Sequence, residues 1–284
     1  MTKTDIPSDL TPEAIHARLR TQAIGRCLRV LAQAGSTNDV ALATGREGSA
    51  DGFAVLADRQ TAGRGRLGRT WESPPGVGIY TSVLLRPRAP AAPAPLLTLA
   101  VGIAAAEAIQ EITGLLPRLK WPNDIQLDGR KVGGILVEGT TLEGRLSEAV
   151  VGIGINVNQE AADFPAELME GATSLRILLG RPVGRTELVA GLYNTLEHWY
   201  RVFCEGEWRM ILDRGRAWSA VLGQPVEVRS GAERWSGLAW DLDQDGALIV
   251  RDGSGALRRV VAGDVSIRPA AGRIAQSGES RKGP

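Results

Sequence analysis

At 284 residues the chain is long enough for one large domain and one small one, and its 43% hydrophobic and 23% charged content is that of an ordinary globular protein. A formal net charge of +1 excludes a protein whose main business is coating nucleic acid or an acidic membrane. No uninterrupted apolar run of about 18 residues exists and the opening MTKTDIPSDL has no apolar core, so neither a transmembrane helix nor a secretory signal is expected.

The first ten residues read as disordered, and Thr11-Pro12-Glu13 then opens a short helix with Ile15 and Leu19 on one face. Leu28, Val30 and Leu31 predict a strand, after which Gly35-Ser36-Thr37-Asn38-Asp39 begins a helix. That stretch has two readings: a helix N-cap, or a cluster of short donors and acceptors facing a small polar ligand. Phe53 to Ala57 is a short apolar strand leading into Gln60 and the run Gly63-Arg64-Gly65-Arg66-Leu67-Gly68-Arg69-Thr70-Trp71. Ile79 to Leu85 is a buried-type strand, and Leu96 to Ile112 a long apolar helix whose alanines and Gly102 allow close packing. Pro122 bends the chain so that Lys120, Asn123 and Asp124 are presented together. A hairpin on Asp128-Gly129 follows, then two core strands, 133–138 and 149–156. Residues 186–204 and 208–218 are helical, the first burying Leu188, Leu192, Leu196, Trp199 and Phe203. From Leu222 short strands punctuated by Ser-Gly and Asp-Gly turns predict a small barrel of SH3-like size, and the tail lacks apolar periodicity.

The glycine–arginine run cannot bury a face, so it reads as a surface loop. Glycines let backbone N–H groups turn toward a ligand, and guanidinium forks suit carboxylate or phosphate. Anion binding and a flexible RNA-binding segment both remain open from the loop alone. It is neither a P-loop, lacking the Gly-Lys-Ser/Thr ending, nor a dinucleotide fingerprint, lacking a strand–turn–helix frame. Only four lysines occur, and Lys120 and Lys131 fall in one motif-dense stretch. Lys131, just before a Gly-Gly strand, points either into a cleft or into solvent. Isolated Cys27 and Cys204 indicate a reduced, cytoplasmic chain without structural zinc. Of the two histidines, His198 reads as a packed or partly exposed helix residue and not a catalytic base.

Taken in order, Gly35-Ser36-Thr37-Asn38, Gln60 through Trp71, Lys120-Trp121-Pro122-Asn123-Asp124, Arg130 through Glu138, Gly152 through Asn158 and Gly263 through Arg268 resemble the biotin protein ligases. The resemblance covers roughly residues 24–268. It implies an α+β fold of the class II synthetase/biotin ligase type, a mixed, largely antiparallel sheet with helices on one face, followed by the SH3-like barrel. The implied organisation is an N-terminal extension (1–24), a catalytic domain (25–220), a C-terminal domain (221–269) and a disordered tail (270–284). The implied activity is ATP- and magnesium-dependent formation of biotinyl-5′-AMP and transfer of the biotinyl group to a lysine of a biotin carboxyl carrier protein. By the same resemblance Ser36, Thr37, Asn38 and Gln60 hold the biotin head group. Gly63, Arg64, Gly65 and Arg66 wrap the carboxylate and phosphate, with Lys131 and Arg66 as the catalytic pair. Trp71, Lys120, Asn123, Asn156 and Arg268 join Arg64 and Arg66 around ATP, Trp71 on the adenine side. Asp124 contacts magnesium, directly or through water. Some family members are repressors with an N-terminal helix-turn-helix; fewer than forty residues precede Gly35 here, so a ligase without DNA binding is expected, as a monomer or a homodimer. Gly35 stands where many members have Asp, which leaves that residue's capping role open. Alternatives are a lipoate or octanoyl protein ligase of the same fold, and a non-enzymatic binding protein using the RG loop and barrel.

Overall fold

The computed structural model describes residues 9–87, 94–142, 145–231, 233–261 and 263–267. Arg268 and the tail 270–284 lie outside these residues, as do residues 1–8.

The short helix α1 (Pro12–His16) is capped as its sequence dictates, the Thr11 hydroxyl accepting from the Ala14 N–H. Seven strands then form the main sheet: β1 (Leu28–Ala34), β2 (Ala54–Gln60), β3 (Gly78–Leu85), β4 (Arg118–Lys120), β5 (Asp124–Leu127), β6 (Arg130–Leu142) and β7 (Arg145–Asn156). Their order is β1-β2-β3-β7-β6-β5-β4, with only β1 and β2 parallel. The β5–β6 hairpin turns on Asp128 and Gly129, both at positive φ (50° and 74°), as an Asp-Gly hairpin turn requires. A cis Trp121–Pro122 bond lies between β4 and β5.

One face of this sheet is covered by α3 (Ala94–Thr113) and α5 (Arg185–Cys204), which pack on each other, with α6 (Trp208–Trp218) beside α3. By length and composition α3 could cross a bilayer, but most of it is buried within the fold, so it serves as the core helix. Gly102 is one reason: a methyl there would stand 3.3 Å from Ile135 Cδ1 on the sheet. Burial of each large side chain on this face is worth about 1.5–3 kcal/mol. Deep in it the Tyr193 hydroxyl donates to Thr81 Oγ1 at 2.6 Å, because the Thr81 proton is taken by the Val55 carbonyl at 2.8 Å. Burial pushes the Tyr193 phenol well above its usual pKa.

The opposite face departs from the expected one-sided arrangement. Here α2 (Thr37–Arg46) packs on β2, β3 and β7 through a second, smaller cluster that includes Ala41, Val55, Leu84 and Val150. Beyond α2 that face is floored by glycines, Gly152 and Gly154 of β7 and Gly134 of β6, and it is left open for a cleft.

After the short helix α4 (Leu175–Leu179), α5 and α6, five strands make the C-terminal sheet: β8 (Pro225–Ser230), β9 (Glu233–Leu242), β10 (Leu248–Asp252), β11 (Leu257–Val260) and β12 (Asp264–Ile267). It is wholly antiparallel, in the order β11-β10-β9-β8-β12, and has the size and strand spacing of an SH3-like module. Its core valines and leucines belong to the same apolar cluster as the main domain. Trp121 Nε1 donates to the Gly246 carbonyl at 3.1 Å, and Arg216 reaches Asp241 and the Leu242 carbonyl, so the two units are joined by buried and polar contacts alike.

Candidate active site

The glycine–arginine run is a small hairpin and not a slack loop. Gly65 N–H donates to the Arg69 carbonyl at 2.7 Å, Trp71 N–H to the Gly63 carbonyl at 3.0 Å, and Arg64 bridges Thr70. Leu67 (φ 56°) and Gly68 (φ 73°) form its tip, and the Leu67 side chain stands in solvent. Gly63 is glycine because a Cβ there would meet the Trp71 carbonyl oxygen at 2.4 Å.

Each arginine has an intramolecular partner. Arg64 forms a bidentate pair with Asp39, both N–O distances 2.7 Å, and also reaches Glu138 at 3.1 Å. Its guanidinium holds the Asp39 carboxyl below the usual carboxylate range. Arg69 pairs with Asp264 of the C-terminal domain. Arg66, half-buried, donates at 3.4 Å to both Asn123 Oδ1 and the Gly263 carbonyl, and burial pushes its pKa down. The mutual repulsion expected of three clustered arginines is therefore offset from within the chain.

At the N-terminus of α2 the capping reading fails in its detail. Ser36 has the extended backbone of an N-cap, but its side chain makes no capping bond. Thr37 and Asn38 are instead buried, and turned into a polar pocket with half-buried Gln60. Gln60 Oε1 accepts from the Thr37 N–H at 2.9 Å, and its amide nitrogen donates to Ser73 Oγ at 3.0 Å. Asn38 Nδ2 donates to Glu138 Oε2 at 2.6 Å. A side chain at position 152 would put its Cβ 2.3 Å from Asn38 Oδ1, so Gly152 makes the room that Asn38 occupies.

Farther along the floor the Trp71 indole lies against Gly154 and Gly134, where a Cβ would stand 2.5 Å and 3.0 Å from the ring. Trp71 Nε1 is buried without a hydrogen-bond partner. The Lys131 ammonium sits 5.3 Å from the ring centroid and 2.6 Å from Asp124 Oδ1. Lys131 thus points into the cleft, and its backbone is fixed by Gly171 and Thr173, whose carbonyl and N–H bond its own N–H and carbonyl. Asn123 is locked to Ile135 through both backbone and side chain. Lys120 is half-buried and has no charged partner among the described residues. It lines, with Asn123, Asp124 and the loop from Arg64 to Gly68, a cavity of about 460 Å³ reaching down to the start of α3 and across to the C-terminal domain. Asn156, on the same face of β7 as Gly154, spends its amide on the Thr173 carbonyl and on Gln159. Among the described residues no group of three His, Cys, Asp or Glu side chains forms a protein-only metal cage. Asp124 meets Lys131 through Oδ1 and lines the cavity beside it, a single carboxylate that fits a magnesium ion keeping phosphate and water as its other ligands.

Residues 31–156 match the biotin/lipoate A/B protein ligase family, and residues 221–268 match the biotin protein ligase C-terminal domain. The chain is 33% identical over 261 residues to the bifunctional ligase/repressor BirA of Bacillus subtilis, covering 92% of this chain and 80% of that one. The chain belongs to the biotin protein ligase family. It is also 35% identical over 271 residues to the biotin–[acetyl-CoA-carboxylase] ligase of Mycobacterium tuberculosis, covering 90% of this chain and 96% of that one. Among solved structures, the biotin protein ligase of Aquifex aeolicus in complex with biotin and ATP aligns with a TM-score of 0.75 and 31% identity, over 86% of this chain and all of that one.

Within this family frame the structure adds residues that the motifs did not single out. Asp39, Glu138 and Asp264 hold the arginines, and Ser73 and Ser82 complete the polar pocket. Glu138 and Asp39 lay inside or beside motifs, and only their pairing was hidden. Ser82 carried a faint signal, as a small hydroxyl beside Thr81 in a strand that is buried along its whole length.

Proposed function

We propose that this biotin protein ligase activates biotin with ATP to biotinyl-5′-AMP and transfers the biotinyl group to a lysine of a biotin carboxyl carrier domain. The observation that carries the reading is the layout of the glycine-floored cleft. A pocket lined by the neutral polar side chains of Thr37, Asn38 and Gln60 lies at one end, and the cations Lys131, Arg64 and Arg66 lie beyond it. A neutral cyclic urea fits the first and two anions fit the second.

In the first half-reaction the biotin carboxylate oxygen attacks the α-phosphorus, an acyl–phosphate bond forms, and pyrophosphate leaves. Such a step is carried by positioning and by preorganised charge. Lys131 is directed at the cleft with its backbone pinned on both sides, so its ammonium is the group to bridge the two reacting anions. Arg64 and Arg66 give up Asp39, Glu138, Asn123 and Gly263 for the ligand's oxygens. Ser36, Gly63 and Gly65 contribute backbone at the rim. Lys120, Asn123, Asn156 and Arg268 complete the nucleotide side in this reading; Trp71, expected on the adenine side, lies against Gly154 and Gly134 beside Lys131 and is assigned instead to the reacting end. Asp124 would hold magnesium, which supplies neutralisation of triphosphate charge when bound. In the second half-reaction the carrier's lysine amine attacks the acyl carbon, an amide forms and AMP leaves; no enzyme nucleophile is needed. The reaction is assigned to the reducing cytoplasm, in keeping with two cysteines that are not joined in a disulfide.

The test is ATP–pyrophosphate exchange with biotin, lipoate or octanoate as the acid. Exchange with biotin alone is expected. Exchange with lipoate or octanoate and not biotin would move the chain to the other branch of its family, and no exchange with any acid would leave only a binding role.

A further inference from the structure

Ser82 sits in the middle of β3 with no exposed surface. Its Oγ lies 2.7 Å from Thr37 Oγ1 and 2.6 Å from Asn38 Oδ1, and with a single proton it can donate to only one of them. The choice is made from the far side of the pocket. Glu138 is a carboxylate and only accepts, so the Asn38 amide must turn its nitrogen to Glu138 and its oxygen to Ser82. That oxygen cannot donate, so the Ser82 proton goes to it, and Ser82 Oγ is left as an acceptor toward Thr37. The Thr37 proton then has two acceptors, Ser82 Oγ at 2.7 Å and Gln60 Oε1 at 3.1 Å, and both are protein atoms.

Gln60 is fixed in the same sense. Its nitrogen donates to Ser73 Oγ, whose own proton goes to the Trp71 carbonyl at 3.0 Å. The hydroxyl of Thr37 is therefore left with lone pairs for a ligand and no proton.

We propose that Ser82 is a positioning and specificity-determining residue. Relayed from Glu138 through Asn38, it sets the hydrogen-bond direction of the head-group pocket so that Thr37 presents an acceptor and selects a ligand bearing N–H donors, as a cyclic urea does. This deepens the ligase reading and rests on it. Removing the Ser82 hydroxyl leaves Asn38 Oδ1 without its donor and leaves the Thr37 proton with the longer of its two contacts, Gln60 Oε1 at 3.1 Å, so the Thr37 hydroxyl is held less firmly.

The experiment is steady-state ATP–pyrophosphate exchange on wild type, Ser82→Ala, Glu138→Leu and the double variant, with melting temperatures measured alongside. Ser82→Ala should raise KM for biotin about tenfold, while kcat and KM for ATP stay within about twofold. Because both residues act through one relay, the double variant should exceed the worse single variant by no more than about twofold in biotin KM. A folded Ser82→Ala enzyme with wild-type KM for biotin, or with KM for ATP raised equally, overturns the proposal while leaving the ligase reading intact. Fully multiplicative effects in the double variant overturn the relay. Should Ser82→Ala not fold, Glu138→Leu decides, since it has no acceptor to hold the Asn38 nitrogen and a wild-type biotin KM in that folded variant also overturns the proposal. Absence of biotin-dependent exchange in wild type removes both this proposal and the reading beneath it.

Discussion

Two residues carry sharply different kinds of charge work. Lys131 touches Asp124 and the Trp71 ring through its partly exposed side chain, and its backbone bonds to Gly171 and Thr173 survive truncation. Lys131→Ala should therefore melt close to wild type yet lose about a hundredfold or more in adenylate formation, followed as biotin-dependent pyrophosphate exchange. Near-normal exchange by the folded variant would remove Lys131 from the chemistry. Asp39 works on the loop. Its carboxyl is held below the ordinary value by the hydrogen bonds from Arg64, so the pair stabilises the folded state at all pH values above the unfolded carboxylate pKa of about 3.9 and is lost as pH falls below it. Titration of the Asp39 carboxyl by NMR should give a midpoint under that ordinary value, returning to it in Arg64→Ala. A midpoint indifferent to Arg64 would mean that the pair does not persist in solution.

At the scale of elements, the glycine–arginine hairpin is fastened to the C-terminal domain by Arg69–Asp264 and by Arg66 to Gly263. Asp264→Ala should speed tryptic cleavage after Arg66 and Arg69 severalfold in the ligand-free protein, and biotin plus ATP should restore protection as their anions replace the lost carboxylate. Equal cleavage in wild type and variant would make that contact ornamental. The hairpin also marks where sequence reading stops. The strand Ile79–Leu85, the Asp128-Gly129 turn and the α5 stripe were legible because local apolar periodicity and turn chemistry decide them. The loop's order was not legible, because its local hairpin bonds are joined by arginine pairs to carboxylates far away in sequence, and alternating Gly and Arg by themselves describe a flexible segment. The Ser-Thr-Asn cluster was legible as polar and at a helix start. Whether it capped or faced inward depended on Gly152, which lies on another strand. The second-face position of α2 was hidden for the same reason, since a helix's sequence names its apolar side but not which face of a sheet receives it.

For the whole molecule, one apolar cluster runs from α1 through the main sheet into the C-terminal strands. Calorimetry should accordingly show a single cooperative transition, and two separate ones would contradict a shared core. Trp121→Phe, which deletes the bond to the Gly246 carbonyl, should cost about 1 kcal/mol, or about 2–4 °C in Tm, without splitting that transition. The fastening of Arg69 to Asp264 has a consequence in time as well as in space. The two are 195 residues apart. At a synthesis rate of about 5–20 residues per second, Asp264 is added about 10–40 s after Arg69. Through that interval Arg69 is carried without its carboxylate, whereas Asp39, the partner of Arg64, is made before the loop itself, so the hairpin is fastened in stages and β12, the last of the described strands, fastens it last.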